Sequence, residues 1–133
     1  MQTLFTAPYL LIYLHEGTHP ALELSWQGYV PGTAFREAAL HSVALGTEHQ
    51  VRGWLTDDRR LGALRPRDLD WVAEAGMQAL NQLGLARFAQ LESQDVLNRR
   101  TIDGMYQQVL PTLTYEVRRF DDLALARAWV RGE

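Results

Sequence analysis

Two stretches of this sequence hold residue types whose spacing could do chemistry. The first is His15-Glu16-Gly17-Thr18-His19, which has the form H-E-x-x-H. On a helix, that spacing points both imidazoles at one zinc ion and leaves the glutamate free as a general base. The second is Thr56-Asp57-Asp58-Arg59-Arg60, with Arg65 and Arg67 shortly after it. Arginine forks beside carboxylates and a following helix start could receive an anion or an acidic side chain.

The zinc reading needs a helix, and the local chain argues against one. Gly17 costs a helix about 1 kcal/mol, and Pro20 pushes His19 out of the α region. Tyr9, Ile12 and Tyr13 favour a strand just before the motif. Glu37 lies at a plausible distance for a third ligand, but a turn between two strands accounts better for residues 16–19. His41 and His49 are isolated in the sequence and suit a helix surface or a loop. No metal and no cofactor is expected.

Several other chemistries are excluded. The chain has no cysteine, which removes disulfides, thiolate metal sites and cysteine nucleophiles. It also has no lysine: its 13 basic residues are all arginine. Schiff-base chemistry and the lysine-dependent phosphate loop are therefore absent. No serine sits in G-x-S-x-G, so enzyme chemistry is not expected. A net charge of −3 argues against non-specific nucleic-acid binding. No run approaches the roughly 18 apolar residues of a membrane span, and no basic residue precedes the apolar N-terminal stretch, so a cytoplasmic protein is expected.

The elements that must position these residues follow from periodicity. With 133 residues, 47% of them hydrophobic, the chain is expected to form one domain over 1–133. Tyr9–His15 is a short apolar run of strand length, and Pro20–Trp26 alternates with Leu22, Leu24 and Trp26 on one face, which predicts an opening hairpin. A helix follows from Thr33, with Phe35, Ala39 and Val43 on one side. Gln50–Thr56 reads as a third strand and DDRRLGALR as a loop. Pro66 opens a second helix with a stripe of Leu69, Val72, Met77, Leu80 and Leu83, stopped by Gly84. Leu85–Leu91 is a fourth strand, and Ser93 is placed to cap the helix after it. Thr112–Phe120 alternates as an edge strand would, and Asp121 opens a last helix anchored by Leu125 and Trp129. The order β-β-α-β-α-β-α-β-α implies an α/β fold with a mixed, mostly parallel five-stranded sheet.

In such sheets, ligands bind outside the carboxyl ends of the strands, near a switch point. That rule selects Asp57, Asp58, Arg59 and Arg60 in the expected loop, with Ser93 closing the fourth strand and Trp54 lining the crevice. The bland alternative is that the carboxylates bracket a turn and pair with the arginines, while the tryptophans pack in the core. An edge strand such as Leu113–Arg119 can pair with its own copy, which makes a homodimer an option, although its charges discourage pairing.

Certain local patterns point further. Gly28-Tyr29 follows the second strand, Trp54-Leu55-Thr56-Asp57 ends the third, Asp68-Leu69-Asp70-Trp71 opens a helix, Gly84-Leu85 precedes the fourth strand, and Phe120-Asp121-Asp122-Leu123 with Ala126 and Trp129 closes the chain. In this order they resemble the STAS fold of sulfate transporters and anti-sigma-factor antagonists. In detail they look like small uncharacterised bacterial proteins grouped as STAS/SEC14-like. The resemblance implies a non-enzymatic, regulatory fold that binds a protein partner or a small ligand. In the antagonist branch a serine after the third strand is phosphorylated, but Thr56–Gly62 here contains none. The leading expectation is thus a STAS-like module binding a partner protein or small anionic ligand through Asp57–Arg60. A SEC14-like carrier of an apolar ligand is the alternative, and it requires a cavity behind Trp54, Trp71 and Met77. A zinc hydrolase through His15, Glu16 and His19 is the third.

Overall fold

The computed structural model describes residues Met1–Glu133. Six strands form one sheet in the order in which they occur in the chain: β1 (Gln2–Ala7), β2 (Leu10–His15), β3 (Ala21–Gly28), β4 (Gly53–Leu61), β5 (Arg87–Leu91) and β6 (Glu116–Phe120). β1, β2 and β3 are antiparallel neighbours, whereas β3 to β6 are parallel. The mixed, mostly parallel α/β sheet is as expected, with six strands in place of five. The added strand, β1, is an exposed edge with a register shift between Thr3 and Phe5. Neither face of it carries a regular apolar alternation, which is why periodicity passes over it.

The helices are α1 (Ala34–Glu48), α2 (Pro66–Trp71), α3 (Met77–Leu83), α4 (Val96–Val109) and α5 (Leu123–Val130). Because β3 to β6 run in sequence order, right-handed crossovers place α1, α2–α3 and α4 on one face of the sheet. There, Leu22, Leu24, Trp26, Trp54 and Phe88 of the strands meet Phe35, Leu69, Met77, Ile102 and Tyr106 of the helices in the larger apolar core. The sequential order also means that the strands have no point of reversal, so the topology supplies no switch point. α5 alone covers the other face, where Ala126, Trp129 and Val130 pack on Ala21, Leu55, Ala89 and Leu91. Leu125 stays 61% exposed and does not anchor this helix.

The expected second helix is not continuous. α2 and α3 are joined by a π-helical turn, Val72–Gly76, which inserts one extra residue into the ladder. Pro66 occupies the first turn of α2, and Gly84 ends α3 at φ 81°, in the left-handed region. Asp95, rather than Ser93, caps α4, and Asp122, rather than Asp121, caps α5, each accepting the backbone N–H three residues on.

Candidate functional site

The Asp57–Arg60 segment lies within a strand. β4 continues through it to Leu61, paired with β3 on one side and, as far as Asp57, with β5 on the other. Successive side chains therefore alternate between faces. Asp57 faces the α5 side and Asp58 the larger core. Between Ser25 and Gln27 on β3 the register shifts, so that Gln27 pairs with Arg60 and Gly28 with Leu61. The extra β4 residue returns Leu61 to the core and sends Arg60 to the α5 side. The four charged residues of the segment are thus divided between two sites.

The α5 side carries a polar groove of about 400 Å³ between β2–β4 and α5. Arg59 donates from Nε and Nη2 to the two carboxylate oxygens of Asp57, each at 2.9 Å. Deeper in, Glu23 is 1% exposed and is held by three donors: His15 Nε2 at 2.7 Å, Arg127 Nε at 2.7 Å and Arg127 Nη2 at 2.9 Å. Burial pushes the Glu23 carboxyl up, but the hydrogen bonds from His15 and Arg127 outweigh it and hold the group below its ordinary value. Both of these forks are closed on internal carboxylates. Arg60, exposed at the rim of the groove, has no ion pair.

This arrangement settles the geometry of the zinc-like motif. His15 ends β2 and is buried with its ring nitrogen on Glu23, whereas His19 sits in the turn after it. No three His, Asp or Glu side chains are grouped so as to hold a metal ion.

The larger core contains a cavity of about 100 Å³ between the sheet and α1, α2–α3 and α4. Trp54, Trp71 and Met77 all line it, as a carrier of an apolar ligand requires. Of its 20 lining residues 17 are hydrophobic, and Asp58 is the one that can carry a charge at neutral pH. The Thr56 hydroxyl donates to Asp58 Oδ1 at 2.6 Å, and the Gln90 amide flanks it. Burial in apolar surroundings raises the Asp58 pKa to about 6, against the pull of those two hydrogen-bonding neighbours, and nearby Asp57 adds to the rise. The Tyr106 hydroxyl, in the same wall, is pushed far up by burial and by the charge of Asp58.

The cavity's outer wall includes the π-helical turn and half-buried Trp71. Arg36 of α1 lies over the Trp71 ring at 5.9 Å and donates to Asp68 at 3.1 Å. Arg65 donates to the other Asp68 oxygen at 3.0 Å and to the Gly32 carbonyl at 2.7 Å. Asp68, 3% exposed, thus ties α1 and the β3–α1 loop to the start of α2.

Trp54 is 4% exposed and belongs to this core cavity rather than to a surface crevice. Ser93 is 1% exposed, and its hydroxyl oxygen accepts from Asp95 N and Asn98 Nδ2 at 3.3 Å each, which braces the β5–α4 turn. Sequence reasoning missed Glu23, Arg127 and Tyr106. Alternation puts Glu23 and Ser25 together on the polar face of a half-buried strand, but the structure buries both.

No protein-family model matches this sequence, and no curated protein is significantly similar to it. Among solved structures, the fold is similar to that of an uncharacterised protein of the DUF3478 family from Shewanella loihica, described as having a SpoIIAA-like fold. The TM-score is 0.56 at 16% identity, over 96% of this chain and 98% of that one. With strand order, crossovers and helix placement already established, the likeness identifies the architecture: this chain has the SpoIIAA-like, STAS-like fold.

Proposed function

We propose that this protein is a non-catalytic binding module whose ligand occupies the core cavity between the sheet and α1–α4. The observation that carries this reading is the cavity of about 100 Å³ walled by Trp54, Trp71 and Met77, in an interior where close packing is the rule. At about 100 Å³ the cavity is about two-thirds of the roughly 150 Å³ of apolar cavity that holds benzene, so one small ring is the upper limit of what it takes, and only with some yielding of its wall. An intact acyl chain of a membrane lipid does not fit, so the reading is of a small-molecule binder rather than a lipid carrier. Thermal melting with toluene and indole tests it. A ligand at about 100 times its dissociation constant adds roughly 2.7 kcal/mol, which moves the midpoint by several degrees. An unchanged midpoint at saturating concentrations of both would end the proposal.

A second reading, docking of a protein partner at the carboxyl ends of the strands, is favoured by a specific observation. Tyr29 after β3, Val96 and Leu97 after β5, and Leu125 after β6 are all at least 55% exposed at that end. Arg60 adds an uncommitted guanidinium there. A pull-down that fails equally for the native chain and for a Tyr29→Ala, Leu97→Ser variant would remove this reading.

A further inference from the structure

We propose that Asp58 is the recognition group of the core cavity, and that the occupant is a small apolar molecule carrying one cationic amine. The inference rests on the reading that the cavity binds a ligand, and it names the class. The wall of the cavity offers an apolar body little polar company: besides Asp58, its polar groups are the Thr56 and Tyr106 hydroxyls and the indole N–H groups of Trp26, Trp54 and Trp71. The Thr56 proton is already given to Asp58. No arginine or histidine pairs with Asp58, although every other buried carboxylate in the sheet and in α2 has such a partner: Asp57 has Arg59, Glu23 has His15 and Arg127, and Asp68 has Arg36 and Arg65. A buried carboxylate without a cation is costly, and at the wall of a cavity the missing cation has a place to come from.

The same geometry selects among ligands. An anion would meet Asp58 with no positive group in the wall to offset the repulsion. A hydrocarbon would leave the carboxylate desolvated and unpaired. An ammonium group gains a charge-assisted hydrogen bond with it, while a ring or short alkyl body fills the space between Trp54, Trp71 and Met77. Trp71 and the π-helical turn form the outer wall.

Toluene, benzylamine and phenylacetate are matched in shape and differ in charge, and their binding can be followed by thermal melting and by amide chemical shifts at pH 7.5. Benzylamine is expected to bind at least ten-fold more tightly than toluene, and phenylacetate not measurably. In Asp58→Asn the preference for benzylamine is expected to vanish while toluene binding persists. On the native chain, the preference should also shrink between pH 7.5 and pH 5, where Asp58 takes up a proton and benzylamine remains charged. Asp57 and Tyr106 are the other titratable groups coupled to Asp58. Equal binding of toluene and benzylamine, tightest binding of phenylacetate, or an undiminished benzylamine preference in Asp58→Asn would overturn the assignment to Asp58 and leave the cavity reading intact. No binding of any probe to either protein would overturn both.

Discussion

Asp57 and Asp58 are consecutive in β4 and occupy opposite faces of the sheet, one chelated by Arg59 in a solvent-facing groove and the other enclosed in an apolar cavity without a cation. Two chemically identical groups thereby have opposite electrostatic surroundings. Asp57 keeps a guanidinium at 2.9 Å, whereas burial lifts Asp58 to about 6. The difference comes from the twofold alternation of a strand and makes the pair separable by experiment.

Replacing Asp58 by Asn is expected to stabilise the unliganded protein at neutral pH. A carboxyl whose pKa is raised on folding binds its proton more tightly in the folded chain. Its penalty is therefore absent below the unfolded pKa near 4, grows as pH rises towards 6, and is complete above that. At about 1.4 kcal/mol per unit, the rise from 3.8 to about 6 amounts to a penalty of about 3 kcal/mol at pH 7. Denaturant melts from pH 4 to 7.5 should show the variant about 2–3 kcal/mol more stable at the upper end and level with the native chain at the lower. A constant difference across the range would mean that Asp58 does not titrate there.

Arg127→Ala is expected to destabilise the fold by about 3–5 kcal/mol, because it leaves Glu23 buried with only His15 as a partner. Glu23→Gln with Arg127→Met together should cost much less than Arg127→Ala alone, since no uncompensated charge remains. Urea midpoints of the single and double variants give the comparison. Equal losses would mean that Arg127 acts by packing alone.

The position of Gly53 allows no side chain. A Cβ there would overlap the Val130 carbonyl oxygen, so α5 rests directly on the β4 backbone. Gly53→Ala is expected to lift the end of α5, exposing Trp129 and costing at least about 2 kcal/mol. A red shift of tryptophan fluorescence together with a lowered melting midpoint would report it. A variant with native fluorescence and stability would contradict the contact.

Zinc is expected to leave the melting midpoint unchanged. His15 is committed to Glu23 at 2.7 Å, and no third ligand is grouped with it. A stoichiometric rise in midpoint on zinc addition, lost in His15→Gln, would contradict this geometry.

Most of the architecture was legible because it rests on local periodicity. The β2–β3 hairpin, the Pro66 and Gly84 boundaries and the edge position of β6 all follow from alternation, fixed φ and glycine's left-handed freedom. The charged half of β4 was not legible. Four consecutive charged residues carry no apolar alternation, and they become a strand only through pairing with β3 and β5, which comes from distant sequence. The bulge that redirects Arg60 and Leu61 is likewise a matter of tertiary register. Trp54, Trp71 and Met77 could be named in advance as cavity neighbours because they face one core, but the carboxylate joining them there could not. Its face depends on extending a strand whose apolar pattern ends at Thr56.

The pairing of Glu23 with Arg127 spans 104 residues. A ribosome adding roughly 5–20 residues per second makes the carboxylate some 5–20 s before its guanidinium. Through that interval the opening hairpin can form with His15 as the one side-chain partner of Glu23. The full set of donors to Glu23 is therefore complete only once α5 has been made.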